Sequence, residues 1–275
     1  MINNPLVSIV VTTFNRKQIL KETIDSILNQ TFGNFELIVI DNFSDYDFIA
    51  YMDAFNDIRI KPFQNNNNGI IALNRNYGIG KSIGKYIAFC DDDDIWFPRK
   101  LEKQINILKD SSDKVVFCMQ KHFGETNIFS EHFGIGPFPF RQKTDTKSLI
   151  RVNCIPFSTV LLKKDIFDKV KYFSEEKIFI GIEDHEMWIR MSKVSNFNFI
   201  PEVLVLHRVH KNNAFSKISS IDKGIKKLNQ IYSNEIQARI VRKNRNVISL
   251  FLRNSFNLIW CKLFISMSNF SKNYK

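Results

Sequence analysis

Four consecutive aspartates, Asp91 to Asp94, stand directly after the apolar run Tyr86-Ile87-Ala88-Phe89-Cys90 and directly before Ile95-Trp96-Phe97-Pro98. Carboxylates packed this tightly repel one another, and an incoming cation relieves the repulsion. Their oxygens suit hard ions, Mg2+ or Mn2+, which bind through one or two carboxylates and complete their shell with water and substrate phosphates. A diphosphate-bearing substrate follows from that chemistry. A solvated turn is the other reading of such a run, because aspartates favour turns and helix starts through local hydrogen bonds. Position favours the cation. Ligands of open α/β sheets bind beyond the carboxyl ends of the strands, and here an apolar strand delivers the acids while Pro98 opens a helix from Arg99 to Asp110.

The elements that must position this run are legible from periodicity. Val7 to Thr12 is rich in β-branched residues and reads as a strand; the loop Phe14-Asn15-Arg16 follows, then a helical pattern of Ile19, Leu20, Ile24, Ile27 and Leu28. A second strand, Phe35 to Ile40, ends at Asp41-Asn42-Phe43-Ser44-Asp45, and a helical segment from Phe48 to Phe55 leads to a short strand at Ile58 to Ile60. Asn65 to Gly69 reads as a turn, Ile70 to Gly84 as a helix, and Tyr86 to Cys90 as the strand bearing the aspartates. This alternation predicts a mainly parallel central sheet wound in right-handed βαβ units. Further on, the pattern predicts a strand at Val115 to Gln120 and an irregular stretch at Lys121 to Lys147. A strand around Cys154 to Leu162 follows, then helices at Lys164 to Val170 and Glu183 to Val194. Two short strands within Phe197 to Arg208, parted by Pro201, complete the pattern.

With 275 residues, 44% of them hydrophobic, the chain can bury one large core or two modest ones, which excludes disorder as its main state. Cys90, Cys118, Cys154 and Cys261 show no metal-ligand spacing and read as free, buried thiols in a reducing compartment. Met1 to Pro5 is polar and the apolar run behind it is short, so no secretory signal is expected and the location reads as cytoplasmic.

Taken together, the motifs resemble family 2 glycosyltransferases. Val7-Ser8-Ile9-Val10-Val11-Thr12-Thr13-Phe14-Asn15-Arg16 comes first, then Val39-Ile40-Asp41, then Asn68-Gly69-Ile70 with Asn74-Arg75-Asn76-Tyr77-Gly78. Gly84 to Asp94 follows, and Glu183-Asp184 and His210 complete the order. The likeness spans residues 6 to about 215. It implies a nucleotide-sugar-binding fold of the GT-A type and a metal-dependent, inverting transfer to a hydroxyl acceptor. Under this resemblance Thr13, Asn15, Arg16, Asp41, Arg75, Asp91 and Asp92 would bind the donor. Asp41 would accept a hydrogen bond from a uracil ring, and Arg75 would reach the diphosphate as a planar guanidinium. Asp93 and His210 would meet the Mn2+ or Mg2+ ion. Asp184 would be the base that takes the acceptor hydroxyl's proton, and Glu183 would position the acceptor or fix the loop. Each has a plainer alternative: a turn-forming Asp41, a surface Arg75, a helix-capping Asp184, a structural His207 or His210. Where the family commonly carries Asp and Gly after Asp41, this chain has Asn42 and Phe43. UDP-sugars are the default donor; GDP and dTDP stay open.

These motifs divide the chain into 1–215, with a nucleotide-sugar half at 1–110 and an acceptor half at 111–215, and a tail at 216–275. The tail carries 12 Lys or Arg against Asp222 and Glu235, so +10 of the formal +11 charge lies there. Ile248, Leu252, Phe256, Ile259, Leu263 and Met267 recur at helical spacing, interrupted by Arg253 and Lys262. A basic amphipathic helix on an anionic membrane surface fits this pattern, each cation near the surface adding about 1 kcal/mol; packing on the core is the alternative. With the resemblance, the tail points to a peripheral enzyme on the inner face of the cytoplasmic membrane. It would extend a lipid-linked saccharide in surface polysaccharide synthesis. A sugar nucleotidyltransferase would need a Gly-rich phosphate loop after the first strand, which Thr12 to Lys17 is not. A basic nucleic-acid-binding protein is the remaining class. The tail argues against it by alternating charge with bulky apolar residues, so no nucleic-acid partner is expected.

Overall fold

A computed structural model describes residues 4–125, 144–210 and 218–240, with backbone alone at 135–136, 218–220 and 233–240. Strands β1 (Val7–Thr13) and β2 (Phe35–Asp41) are buried at every position. That follows from their β-branched composition and from helices covering both faces of the sheet. Helix α1 (Lys17–Leu28) turns Leu20, Thr23, Ile24 and Ile27 inward. Helix α2 (Phe48–Asp53) begins at Asp47, whose carboxylate caps the Ala50 N–H, and leads to β3 (Ile60–Gln64). Helix α3 (Ile71–Lys81) lies very close on the sheet at Gly78, where a Cβ would stand 2.6 Å from Val10 Cγ1 and 2.7 Å from Ile40 Cδ1. That approach brings Asn74 and Arg75 of the same helix to the ends of the strands, and β4 (Tyr86–Asp91) carries the acidic run.

Eight strands follow the order β3-β2-β1-β4-β8-β6-β9-β5, using β5 (Ile95–Trp96), β6 (Val115–Gly124), β8 (Leu161–Lys163) and β9 (Phe197–Val209); β7 (Ile135–Gly136) pairs with β6. β3, β2, β1 and β4 are parallel, and the register pairs Thr13 with Asp41 and Thr12 with Asp91, so three chemistry-bearing strand ends share one edge. The sequence order reverses between β1 and β4, the topological switch point of such a sheet. The sheet as a whole is mixed: its long ladders, including β6 with β9, are parallel, but β8 runs antiparallel to both β4 and β6, and β5 to β9. Short strands and 3-10 turns after β6 replace the βαβ crossovers on which the parallel inference rested.

Other differences have local causes. The third strand begins at Ile60, where pairing with Leu37 starts, and Ile58 is left 68% exposed. Of the predicted Cys154 to Leu162 strand only Leu161 and Leu162 are extended in the sheet, within β8; Pro156 precedes a 3-10 turn at Phe157–Thr159. β9 passes through Pro201 without breaking. The register steps from Cys118 opposite Ile200 to Met119 opposite Val203, a bulge that absorbs a residue without a ladder N–H. β6 extends to Gly124, and α5 (Thr146–Arg151) begins inside the stretch predicted to be irregular.

Helices α4 (Lys100–Leu108), α6 (Phe167–Val170) and α7 (Glu183–Ser192) complete the packing. Cys90, Cys118 and Cys154 are buried free thiols, and Cys261 lies outside the described residues.

The chain divides into two compact units, Met1–Leu228 and Asn229–Lys275. The first part of α8 (Ile218–Ile240) belongs to the first unit: at Gly224 a Cβ would stand 2.5 Å from Ile182 Cδ1. The predicted stripe from Ile248 to Met267 lies outside the described residues. Among the described residues no helix is long and apolar enough to cross a membrane.

Candidate active site

The switch point is built from side chains of β1, β4 and β9. Arg16, just past β1, bonds Asp92 Oδ1 and Asp93 Oδ2 through Nη1, each at 2.8 Å. His210 Nε2 lies 2.9 Å from the same Asp93 oxygen. Thr13 is buried at the end of β1 and lies beside Asp92. Asp94 is sealed inside, accepting the Arg208 N–H at 3.1 Å and pairing with His207 Nδ1 at 3.0 Å. Arg208 also donates Nε to the Asp93 carbonyl at 3.0 Å. Burial lowers the His207 pKa, but the bond to Asp94 and the charges of Asp94, Asp91 and Asp93 outweigh that and lift it to about 9. The sequence alone points to no role for Arg208 and to none for Asp94 beyond its place in the acidic run. Their only signals were a fourth aspartate in the run and an arginine two positions before His210.

Arg75 forms the second cluster. Buried in α3, it bonds Asp91 Oδ1 at 3.1 Å and Glu183 Oε1 at 2.5 Å, and its guanidinium lies 3.6 Å from the Phe157 ring centroid. Its Nε has no partner among the described residues. Asp91 takes its backbone position from Ser158, whose hydroxyl accepts the Asp91 N–H at 3.0 Å. Burial raises the Asp91 carboxyl to about 7, with Arg75 opposing and Asp94 and Asp93 adding. Glu183 accepts the Gly181 N–H at 2.6 Å with its other oxygen, at a glycine with φ of +85°. Both Glu183 oxygens are therefore used inside the chain, which favours the loop-fixing role over acceptor positioning.

Asp184, beside Glu183 in the first turn of α7, accepts the His185 N–H at 2.7 Å and the Asn153 amide at 3.1 Å. Burial raises its carboxyl to about 6, and the Glu183 charge adds to this against the pull of Arg75 and the two hydrogen bonds. Such a group is ionised at neutral pH yet remains a competent proton acceptor.

Asp41 ends β2, as the sequence predicts, with its carboxylate turned inward. It is fully buried and accepts the Ser44 N–H at 2.9 Å, the Ser44 hydroxyl at 2.5 Å and the Gln64 amide at 3.1 Å. Its carboxylate holds the turn after β2 and presents nothing to a uracil ring. Asn15 serves the same loops, taking the Asp45 N–H at 2.8 Å and giving its own N–H to Ser44 Oγ at 2.7 Å.

Among the described residues no group of three or more His, Cys, Asp or Glu side chains is arranged to hold a metal ion. Asp93 and His210 lie within 2.9 Å of each other. They fit a hard cation that takes two protein donors and fills its shell with diphosphate oxygens and water.

The family model for glycosyl transferase family 2 matches residues 8–171. The chain is 30% identical over 196 residues to the UDP-Glc:alpha-D-GlcNAc-diphosphoundecaprenol beta-1,3-glucosyltransferase WfgD of Escherichia coli, covering 71% of this chain and 73% of that protein. It spans between 37% and 65% of the length of three rickettsial relatives it matches, all uncharacterized glycosyltransferases. In structure it is similar to S. aureus TarS 1–349 in complex with UDP-GlcNAc, at a TM-score of 0.64 and 17% identity over 76% of this chain and 60% of that one. It is also similar to the mannosyltransferase PcManGT from Pyrobaculum calidifontis in complex with GDP-Man and Mn2+, at a TM-score of 0.60 and 16% identity over 88% and 66%. At these identities the structural likeness concerns the fold.

Proposed function

The chain belongs to glycosyl transferase family 2, and from that premise we propose that it transfers a hexose or N-acetylhexosamine, with inversion, from a nucleotide-sugar to a hydroxyl of a lipid-linked saccharide. The observation that carries the reading is Arg75 bonded to both Asp91 and Glu183. One guanidinium joins the acidic end of β4 to the start of α7, which supports a single site holding the donor-facing acids and Asp184. The UDP-GlcNAc bound by TarS and the acceptor in WfgD's name support the substrate classes.

In this mechanism Asp184 removes the acceptor hydroxyl's proton as the oxygen attacks the anomeric carbon from the face opposite the diphosphate. Arg75 holds Asp91 and Glu183 at their separation, and Glu183 clamps the Gly181 turn ahead of Asp184. Arg16 sits beside the diphosphate position and Thr13, Asn15 and Asp92 shape its surroundings. A divalent cation, when bound by Asp93 and His210, supplies charge that stabilises the departing diphosphate. Asp41 contributes indirectly, by holding the loop that borders the nucleoside.

The tail would bring the enzyme to the acceptor. Its +10 charge and apolar stripe support attachment to the anionic inner face of the cytoplasmic membrane. The direct test incubates the full chain with Mn2+, UDP-, GDP- and dTDP-sugars and a lipid-diphosphate saccharide, reading sugar transfer. Transfer from one donor class with inverted product is expected; no transfer from any donor, with a folded chain and acceptors of several kinds, overturns the reading.

A further inference from the structure

Phe43 adopts φ of +60°, a left-handed conformation that a bulky side chain rarely tolerates. Its neighbours impose it. Asn42 gives its N–H to the Thr13 carbonyl at 3.0 Å and accepts the Asn67 N–H at 2.8 Å. Ser44 is tied to Asp41 by its N–H and hydroxyl, and to Asn15 through the Asn15 N–H. Five hydrogen bonds thus fix the residues on either side, and a glycine at position 43 would satisfy the same backbone without strain. The chain instead places a phenyl ring there, 58% exposed and in no ring contact among the described residues. The core gains little from it. Strain held by a surrounding lattice at the mouth of a site is the pattern of a residue kept for ligand contact.

Location names the ligand. In the donor reading the diphosphate lies at the β1/β4 switch point, where Arg16 pairs with Asp92 and Asp93. Towards β8, the end of β4 is filled by Ser158, Phe157 and the Arg75 cluster. A nucleoside anchored by its phosphates therefore extends the other way, over the loops after β1 and β2. Asp41 is buried beneath that surface, so the base meets loop side chains, and Phe43 is an exposed π-face among them. We propose that Phe43 packs its ring against the nucleobase of a nucleoside diphosphate donor and thereby sets base affinity and choice. This rests on the donor reading given above.

The test uses the full chain and three probes, UDP, GDP and dTDP, each with Mn2+, reading Kd by calorimetry and the Tm of the ligand-free protein. Phe43→Gly is expected to raise the Tm, because the strain is removed, while weakening binding of the preferred nucleotide by about tenfold; Phe43→Tyr keeps the affinity. Unchanged affinity in Phe43→Gly overturns the inference, and so does a loss of affinity that runs in step with a fall in Tm. If the unaltered chain binds none of the three, the donor reading itself fails and takes this inference with it.

Discussion

Arg75 Nη1 and Glu183 Oε1 stand 2.5 Å apart, a buried charge-assisted bond between α3 and α7 that closes a span of 108 residues. Both side chains are almost wholly removed from solvent, so neither can trade the other for water. Removing Arg75 leaves Glu183 a buried charge without its cation, which costs about 3–5 kcal/mol, whereas removing Glu183 costs less because Asp91 still pairs Arg75. Arg75→Met and Glu183→Gln should each destabilise the chain, whereas the double variant should lose less than the sum. Urea unfolding of all four proteins measures the coupling; strict additivity would mean the bond contributes no coupling. Arg75→Lys keeps a charge but lacks the fork that reaches both carboxylates, and should retain donor binding while losing most of kcat.

Asp184 gives the reaction an acidic limb. A base must be deprotonated to work, and this carboxyl is raised to about 6 by burial and by Glu183. kcat/KM should climb as pH rises through about 6 and level off above it. Asp184→Asn should abolish transfer and leave nucleotide binding intact. Full activity in this variant removes Asp184 from the mechanism.

Asp93 is expected to affect binding first. Asp93→Ala should abolish transfer and remove the Mn2+-dependent part of donor affinity, measured by titration with and without the ion. Arg16 retains its bond to Asp92 in that variant, so a donor affinity unchanged in the presence of Mn2+ would mean the cation is held elsewhere.

Lys100 provides a pH test of the fold that is independent of the reaction. It is fully buried, donates to Gln104 Oε1 at 2.9 Å and lies 3.6 Å from the Trp96 ring centroid; burial pushes its pKa from 10.5 down to about 8. The unfolded chain therefore holds this proton more tightly than the folded one. Stability should rise with pH between about 8 and 10.5, and below 8 the full cost, on the order of 3 kcal/mol, is present. The difference in unfolding free energy between the natural chain and Lys100→Met should follow that curve. A difference flat across the window would show that the buried ammonium titrates as it does in water.

A chain ending at Ile240 should keep donor binding and lose sedimentation with anionic vesicles. The cut falls there and not at Ser216, because the α8 residues Gly224 and Leu228 pack into the first unit. Continued sedimentation of the shortened chain removes the tail from membrane attachment.

Local pattern alone determined the order of the early elements, the strand that ends in aspartates, and the family. These rest on apolar periodicity and on short motifs that survive without knowledge of distant contacts. Nothing in one dimension says what a polar side chain will touch. Asp41 reads as an available acceptor until the turn folds Ser44 and Gln64 onto it. Arg75 reads as a diphosphate ligand until α3 sets it between Asp91 and Glu183, and Phe43 is only a departure from the usual Gly until its neighbours force φ to +60°. The mixed sheet was also decided in three dimensions, since strand direction after β6 depends on short turns that leave little trace in composition. Tertiary structure assigned these partners because a hydrogen bond between residues far apart in the chain is set by the path of the intervening backbone, which no local spacing encodes.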